Sequence, residues 1–163
     1  IGFDGYAIGG VSVGEPHELI LRGIDDSVGH LPADKPRYLM GVGSMQHMVE
    51  AVARGVDMFD CVIPTRLARH GTAFTRTGKY PVKASVYSQD TRPIEEGCSC
   101  EACRKFSRAY VRHLMNVNEI LGIRLLTIHN LHRYREFELE MRAAIEEGRF
   151  GQYKDEFLSN YKE

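Results

Sequence analysis

Apolar residues in the first sixty positions come in short runs, and each run ends at glycine. Tyr6-Ala-Ile8 is followed by Gly9-Gly10 and then Val11-Ser-Val-Gly-Glu15-Pro16. This predicts a buried strand opening into a glycine-permitted loop, with a helix from Glu15 and Pro16 through about Arg22 or Gly23. Arg37-Tyr-Leu-Met-Gly-Val-Gly43 repeats the plan. Ser44 then reads as the N-cap of a helix over 45–54, with Met48, Val49 and Val52 as its apolar face and Gly55 as its stop. Val56 to Ile63 returns a third strand. Strand, loop and helix in alternation, at intervals of roughly 30 residues, predict parallel-sheet crossover units. The strands are apolar at nearly every position, as expected when both sheet faces are covered. The interval suits a barrel or a doubly wound sheet; an eight-stranded barrel needs about 250 residues, so three units amount to its last part.

Beyond Pro64 the pattern changes. Gly71–Phe74 and Tyr80–Ser85 predict two short strands about Arg76-Thr-Gly-Lys79, a hairpin turn in which Gly78 supplies the unusual backbone angles. Helices are predicted over 101–112, over 113–121 with Gly122 as its end, and over 124–147 with Gly148 as its end. The last carries an apolar stripe through Leu125, Ile128, Leu131, Tyr134, Phe137, Met141 and Ile145. A final amphipathic segment spans 152–161. There is no low-complexity stretch, no flexible linker and no repeat beyond the crossover units.

Composition fits a globular chain with a core: 163 residues, 43% hydrophobic, 21 Lys plus Arg against 22 Asp plus Glu. No run approaches the roughly 20 apolar residues of a membrane span, and the first residues lack a signal pattern, so a cytoplasmic location is expected. The chain opens at Ile1 without an initiator methionine and reads as a segment of a longer polypeptide. Charge is segregated: residues 62–92 hold 6 basic residues and 1 acidic, whereas residues 1–61 hold 4 basic and 9 acidic. A basic middle can steer and hold a polyanion although the net charge is −1. Solvated charged faces are the plain alternative.

Three of the 4 cysteines crowd into Cys98-Ser-Cys100-Glu-Ala-Cys103, and Cys61 stands apart in an apolar stretch. Clustered thiols followed by histidines indicate metal rather than disulfides. Zinc takes four such ligands as a tetrahedron, and a site filled by four protein ligands is structural because no position is open to water. For the fourth ligand, His129 and His132 lie three apart on one predicted helix and are modestly favoured. Asp90, Glu101 and His113 remain available. An iron–sulfur cluster is disfavoured by the lack of a fourth clustered cysteine.

The stretch Asp57-Met-Phe-Asp60-Cys-Val-Ile-Pro-Thr-Arg66-Leu-Ala-Arg69-His-Gly71 is distinctive. With Gly9-Gly-Val-Ser-Val-Gly-Glu15, Tyr38-Leu-Met-Gly-Val-Gly43 and the cysteine cluster, it closely resembles the tRNA-guanine transglycosylases, or queuine tRNA-ribosyltransferases, over essentially the whole chain. The resemblance implies an α/β fold, the C-terminal part of a (β/α)8 TIM barrel with a zinc-binding subdomain. Residues 1–70 would be the last barrel strands and helices, 71–133 the hairpin and zinc subdomain, and 134–163 C-terminal helices packing on the barrel. It implies exchange of the wobble guanine of tRNA anticodons for a 7-deazaguanine base, with a second copy as protein partner.

Carried over position by position, the resemblance implies that Asp60 is the nucleophile and that Cys98, Cys100, Cys103 and His129 hold structural Zn2+. Gly10, Val11 and Met40 match the base-binding region, and Arg66 and Arg69 match positions near the tRNA anticodon loop. On the residues alone, Asp60 ends an apolar strand, where barrel enzymes place catalytic groups, but Asp57 is a rival and many such aspartates only cap loops. Met40 reads equally well as core, and Arg66, Arg69, Arg76, Lys79 and Lys83 as ordinary surface charge. Val11-Ser12 replaces the family's usual Leu-Ala. Val13 resembles the bacterial form, which implies 7-aminomethyl-7-deazaguanine as the incoming base. The N-terminal strands of the family, with its general acid or base, have no counterpart in this chain, so the segment alone is expected to be inactive. The competing reading is a non-catalytic, zinc-containing tRNA-binding or dimerisation module, since the family includes an accessory subunit with a degraded active site.

Overall fold

The computed structural model describes residues 2–162, which divide into two compact units. The first comprises the residues up to Ile63 together with Ala143–Ser159, and the second comprises Pro64–Arg142 with the residues from Asn160 onward.

In the first unit, β1 (Tyr6–Ile8), β2 (Arg37–Leu39) and β3 (Met58–Phe59) form a parallel sheet in the order β1-β2-β3. α1 (His17–Val28) and α2 (Met45–Val52) are its crossovers, as the alternating pattern predicts. Ile8, Ile20, Ile24, Leu39, Val42, Ala51 and Val56 form the buried core. Ser44 caps α2 as expected, its side chain accepting from the His47 N–H.

The strands are shorter than the apolar runs. Backbone pairing ends at Leu39 and at Phe59 because the chain turns out of the sheet at Gly41, whose φ is 73°. Nor are the strands covered on both faces: Ala7 is exposed, and Met58 is 52% exposed. The continuous apolar run overstated burial within this chain. The run Val62-Ile63 is also not strand. α3 (Ile63–His70) begins there, with Pro64 in the first turn, where its missing N–H costs nothing.

In the second unit, β4 (Thr72–Thr75) and β5 (Gly78–Pro81) form the expected antiparallel hairpin, but Thr75 pairs with Gly78, so Arg76 and Thr77 alone make the turn and the second strand ends at Pro81 rather than Ser85. Gly78 opens β5 rather than sitting in the turn. A Cβ there would lie 2.2 Å from the carbonyl oxygen of Lys162, which bridges to it in parallel register.

A short 3-10 turn, Ser85–Tyr87, leads toward α4 (Glu101–Lys105) and α5 (Arg108–Asn116). The single helix predicted over 101–112 is thus two, because Phe106 is extended and Ser107 caps the second through the Tyr110 N–H. α6 (Ile120–Glu146) runs through Gly122, which does not end a helix. The break falls instead at Asn118, whose φ is 58°. Gly122 is required by close helix packing: a Cβ there would lie 2.8 Å from Leu114 Cβ and 3.1 Å from the backbone of α5.

α7 (Phe150–Asn160) follows. Among the described residues no helix is long and apolar enough to cross a membrane.

Candidate functional site

α6 and the Cys98–Cys103 turn meet in the second unit. Gly97, with φ 77°, turns the backbone just before the first thiol. Cys100 caps α4 and is buried, while Cys98 and Cys103 are half-buried. His129 on α6 is wholly buried and presents Nδ1 to all three, at 3.7 Å from Cys98 Sγ, 3.6 Å from Cys100 Sγ and 3.4 Å from Cys103 Sγ.

Tetrahedral zinc, with bonds of about 2.3 Å to sulfur and about 2.0 Å to nitrogen, requires sulfur–nitrogen separations of about 3.5 Å. The four ligand atoms all lie within 4.8 Å of one another, so this group fits a metal ion of the zinc type. His129 Nε2 lies 2.7 Å from the Phe74 carbonyl oxygen. Donation there places the ring proton on Nε2 and leaves the Nδ1 lone pair for a metal. Crowding sets the thiols against one another. The hydrogen bond with Cys103 holds Cys100 down at about 3, and the same contact pushes Cys103 up. Only a cation lets all three ionise together.

The other candidates for fourth ligand are occupied elsewhere. His132 Nε2 is 3.3 Å from Ser99 Oγ, Glu101 pairs with Lys105, and Asp90 pairs with Arg92 and Arg108. His113 is exposed on α5. The neighbouring Asn130 is fully buried and fully used: its Oδ1 accepts from the Phe74 N–H, and its Nδ2 donates to the Pro64 and Thr72 carbonyls. Two successive residues of α6 therefore grip both backbone groups of Phe74.

In the first unit the loops after the three strands share one end of the sheet, the carboxyl end at which parallel α/β sheets place their sites. Asp60 stands there, one residue beyond β3, and is exposed. Its Oδ1 accepts from the Tyr38 hydroxyl at 2.6 Å and from the Gly41 N–H at 2.8 Å. The Tyr38 bond, then the Gly41 bond, hold the carboxyl below its ordinary range; the same contact holds the Tyr38 phenol above its own.

Strand register makes the first contact: Tyr38 pairs with Met58, and Asp60 lies two residues farther along the same sheet face. Gly43 secures the neighbouring backbone, because a Cβ there would lie 2.0 Å from Cys61 Cβ. The rival carboxylate, Asp57, lies at the opposite end of β3, where Oδ2 accepts from the Arg37 N–H at 2.8 Å.

Gly10 has φ 74° and an open approach, and the Val11 side chain turns inward onto α1, within 2.7 Å of a Cβ placed on Gly23. What this loop offers outward is the Gly10 backbone and, farther along, the exposed Val13 side chain. Glu15 closes it by accepting from the N–H groups of Ser12 and Val13. Met40 is 47% exposed, with Sδ 3.5 Å from a Cβ placed on Gly9, so it is not part of this chain's buried core. Arg66 and Arg69 are exposed on α3. Arg76 is instead paired with Glu140 at 2.8 Å. Tyr38 and the Gly41 amide escape a sequence reading because they stand about twenty residues from Asp60 and carry no spacing signal.

The sequence profile of the family described as queuine tRNA-ribosyltransferase matches residues 1–163. A queuine tRNA-ribosyltransferase of Pelotomaculum thermopropionicum is 56% identical over 160 residues, which are 98% of this chain and 43% of that protein. One of Methylobacillus flagellatus is 58% identical over 157 residues, 96% of this chain and 42% of that protein. One of Francisella tularensis subsp. novicida is 52% identical over 162 residues, 99% of this chain and 44% of that protein. The chain thus spans less than half the length of these relatives. Matched along its whole length by the profile and at more than half its positions by such relatives, the chain belongs to the queuine tRNA-ribosyltransferase family.

Proposed function

We propose that this chain is the carboxyl-terminal part of a tRNA-guanine transglycosylase that replaces the wobble guanine of tRNA anticodons with 7-aminomethyl-7-deazaguanine, in queuosine biosynthesis. The observation that carries the reading is an exposed Asp60 carboxylate, held ionised by Tyr38 and the Gly41 amide at the carboxyl end of the parallel sheet. Its three strands and two crossover helices would complete a (β/α)8 barrel.

In the first displacement Asp60 Oδ2 bonds to C1′ of the ribose while the bond from C1′ to guanine N9 breaks. The base departs after gaining a proton from solvent. In the second, N9 of the incoming base bonds to C1′, its proton passes to solvent, and Asp60 leaves as carboxylate. Two inversions preserve the configuration. Gly10, the Val11 backbone and Met40 form the wall for the planar base: amides for its edge and a polarizable thioether for its face.

Cys98, Cys100, Cys103 and His129 would hold zinc as a structural brace, since four protein ligands leave no position for water. Arg66 and Arg69, exposed on one face of α3, would hold phosphates of the anticodon loop. A homodimer in the cytoplasm is the expected working form.

Exchange is the test. The polypeptide that carries this chain should incorporate labelled 7-aminomethyl-7-deazaguanine into tRNA with guanine at the wobble position. tRNA binding without any exchange would favour the non-catalytic module. Charge reversal of Arg66 and Arg69 together should reduce tRNA affinity roughly tenfold or more, with a shallower salt dependence. Unchanged affinity and salt slope in a filter-binding titration would remove both from the footprint.

A further inference from the structure

We propose that Tyr38 and the Gly41 amide are a positioning pair that reserves Asp60 Oδ2 for attack and speeds departure of Asp60 in the second displacement. This rests on the glycosyl-transfer reading above. The geometry is asymmetric, because both donors converge on Oδ1, at 2.6 Å and 2.8 Å. Among the described residues no other side chain and no other residue's amide donates to the carboxylate, to which only Asp60's own N–H adds a weaker contact, and Asp60 is exposed. Of two otherwise equivalent oxygens, one is tied into the fold and the other is presented.

The asymmetry has a kinetic sign. When Oδ2 bonds to C1′, the carboxylate becomes an ester, Oδ1 becomes its carbonyl oxygen, and negative charge leaves Oδ1. Donors to Oδ1 therefore stabilise the free carboxylate more than the ester. They slow attack somewhat. They accelerate expulsion, because the electron pair of the breaking Oδ2–C1′ bond returns to a carboxylate already met by two donors.

A nucleophile that must also leave needs this compromise, or the covalent state becomes a trap. The low ionisation range of Asp60 fits the same account, since it marks a good leaving group. Tyr38 can hold this geometry because its backbone is fixed in β2 between two paired strands. Gly41 can do so because its left-handed φ of 73° turns the N–H toward the carboxylate.

The test is single-turnover chemistry in the polypeptide that carries this chain, with tRNA bearing the wobble guanine, comparing Tyr38→Phe with the unsubstituted protein. Adduct formation is followed without free base, and its breakdown after a guanine chase, both by denaturing gel. In Tyr38→Phe, breakdown should slow about tenfold, as expected for losing one hydrogen bond to a charge, and formation should be unchanged or somewhat faster. The steady-state adduct fraction then rises. Because Asp60 attacks only when ionised, the acid limb of formation should also move up toward the ordinary carboxylate range of about 4.

Replacing Tyr38 with 3-fluorotyrosine, a stronger donor of nearly the same size, should move both quantities the other way. It reads the same ratio if the phenylalanine variant folds poorly. Formation and breakdown slowed equally, or neither changed and the acid limb unmoved, would overturn the inference. Adduct persisting in Asp60→Asn would instead overturn the nucleophile itself. Loss of adduct in Asp60→Asn together with unchanged kinetics in both Tyr38 variants would sink the Tyr38 role alone.

Discussion

Asp60→Asn should abolish the covalent RNA adduct and lower exchange by roughly 10⁴-fold or more, the scale on which removal of a nucleophile acts. The substitution exchanges an anionic oxygen for an amide of the same shape. The remaining carbonyl oxygen can still accept from Tyr38 and Gly41, so the local hydrogen bonds survive. Asp60 is exposed and carries no core packing. Thermal melting should therefore be nearly unchanged while chemistry is lost, and that combination separates a chemical role from a structural one.

Asp57→Asn is the matched control. Asp57 accepts from the Arg37 N–H at the other end of β3, so its substitution should touch stability slightly and leave the adduct. The measurement is the denaturation-resistant band formed with tRNA, scored beside a melting curve. An adduct of ordinary yield from Asp60→Asn, or its loss from Asp57→Asn at unchanged melting, would transfer the nucleophile's role away from Asp60.

How far these sites could be read from sequence depends on whether each feature is local. The crossover pattern is local: glycines after β1 and β2, and Ser44 before α2, mark where strand becomes loop and loop becomes helix. The three clustered cysteines are local too, so their chemistry was legible. The fourth ligand was not, because spacing treats His129 and His132 alike. Only the fold directs His129 inward to the thiols while His132 reaches Ser99.

Failures follow the same line. Val62-Ile63 looks like the end of an apolar strand, and only the backbone shows that α3 begins at Ile63 with Pro64 in its first turn. Gly122 carries the signal of a helix stop, yet its lack of a side chain serves contact with Leu114 on another helix. Met40 is apolar and was legible as core or as site with equal ease; exposure decides against core. The contact of Tyr38 with Asp60 is a product of strand register, which no short motif encodes.

Substituting His129 with Ala, or removing the metal by chelation under reducing conditions, should unfold the second unit while acting on Asp60 only indirectly. Apparent binding energies of structural zinc in small domains are roughly 10–16 kcal/mol, comparable with the whole stability of a domain. The structure shows why so little would remain here. Cys100 belongs to the same buried cluster as Ala73, Val82, Ile94, Val111 and Leu126, and Cys98 and Cys103 pack against it, so a metal held by this group would brace the core of the unit.

Losing His129 also removes the contact from Nε2 to the Phe74 carbonyl and leaves three crowded thiols that cannot ionise together. Asn130 would still hold the Phe74 N–H and the Thr72 carbonyl, but the Phe74 carbonyl would lose its partner on α6. The expected result is one equivalent of zinc in the unsubstituted protein, less than about a tenth in His129→Ala, and a broad melt beginning at least ~10 °C lower. His132→Ala is the comparison, since Ser99 is its recorded partner, and it should keep both metal and melt. Full zinc in His129→Ala, or a metal-free unsubstituted protein with an unaltered cooperative melt, would remove the brace from the account. Because Asp60→Asn should spare the melt that His129→Ala destroys, the two substitutions together separate the chemistry of the first unit from the scaffold of the second.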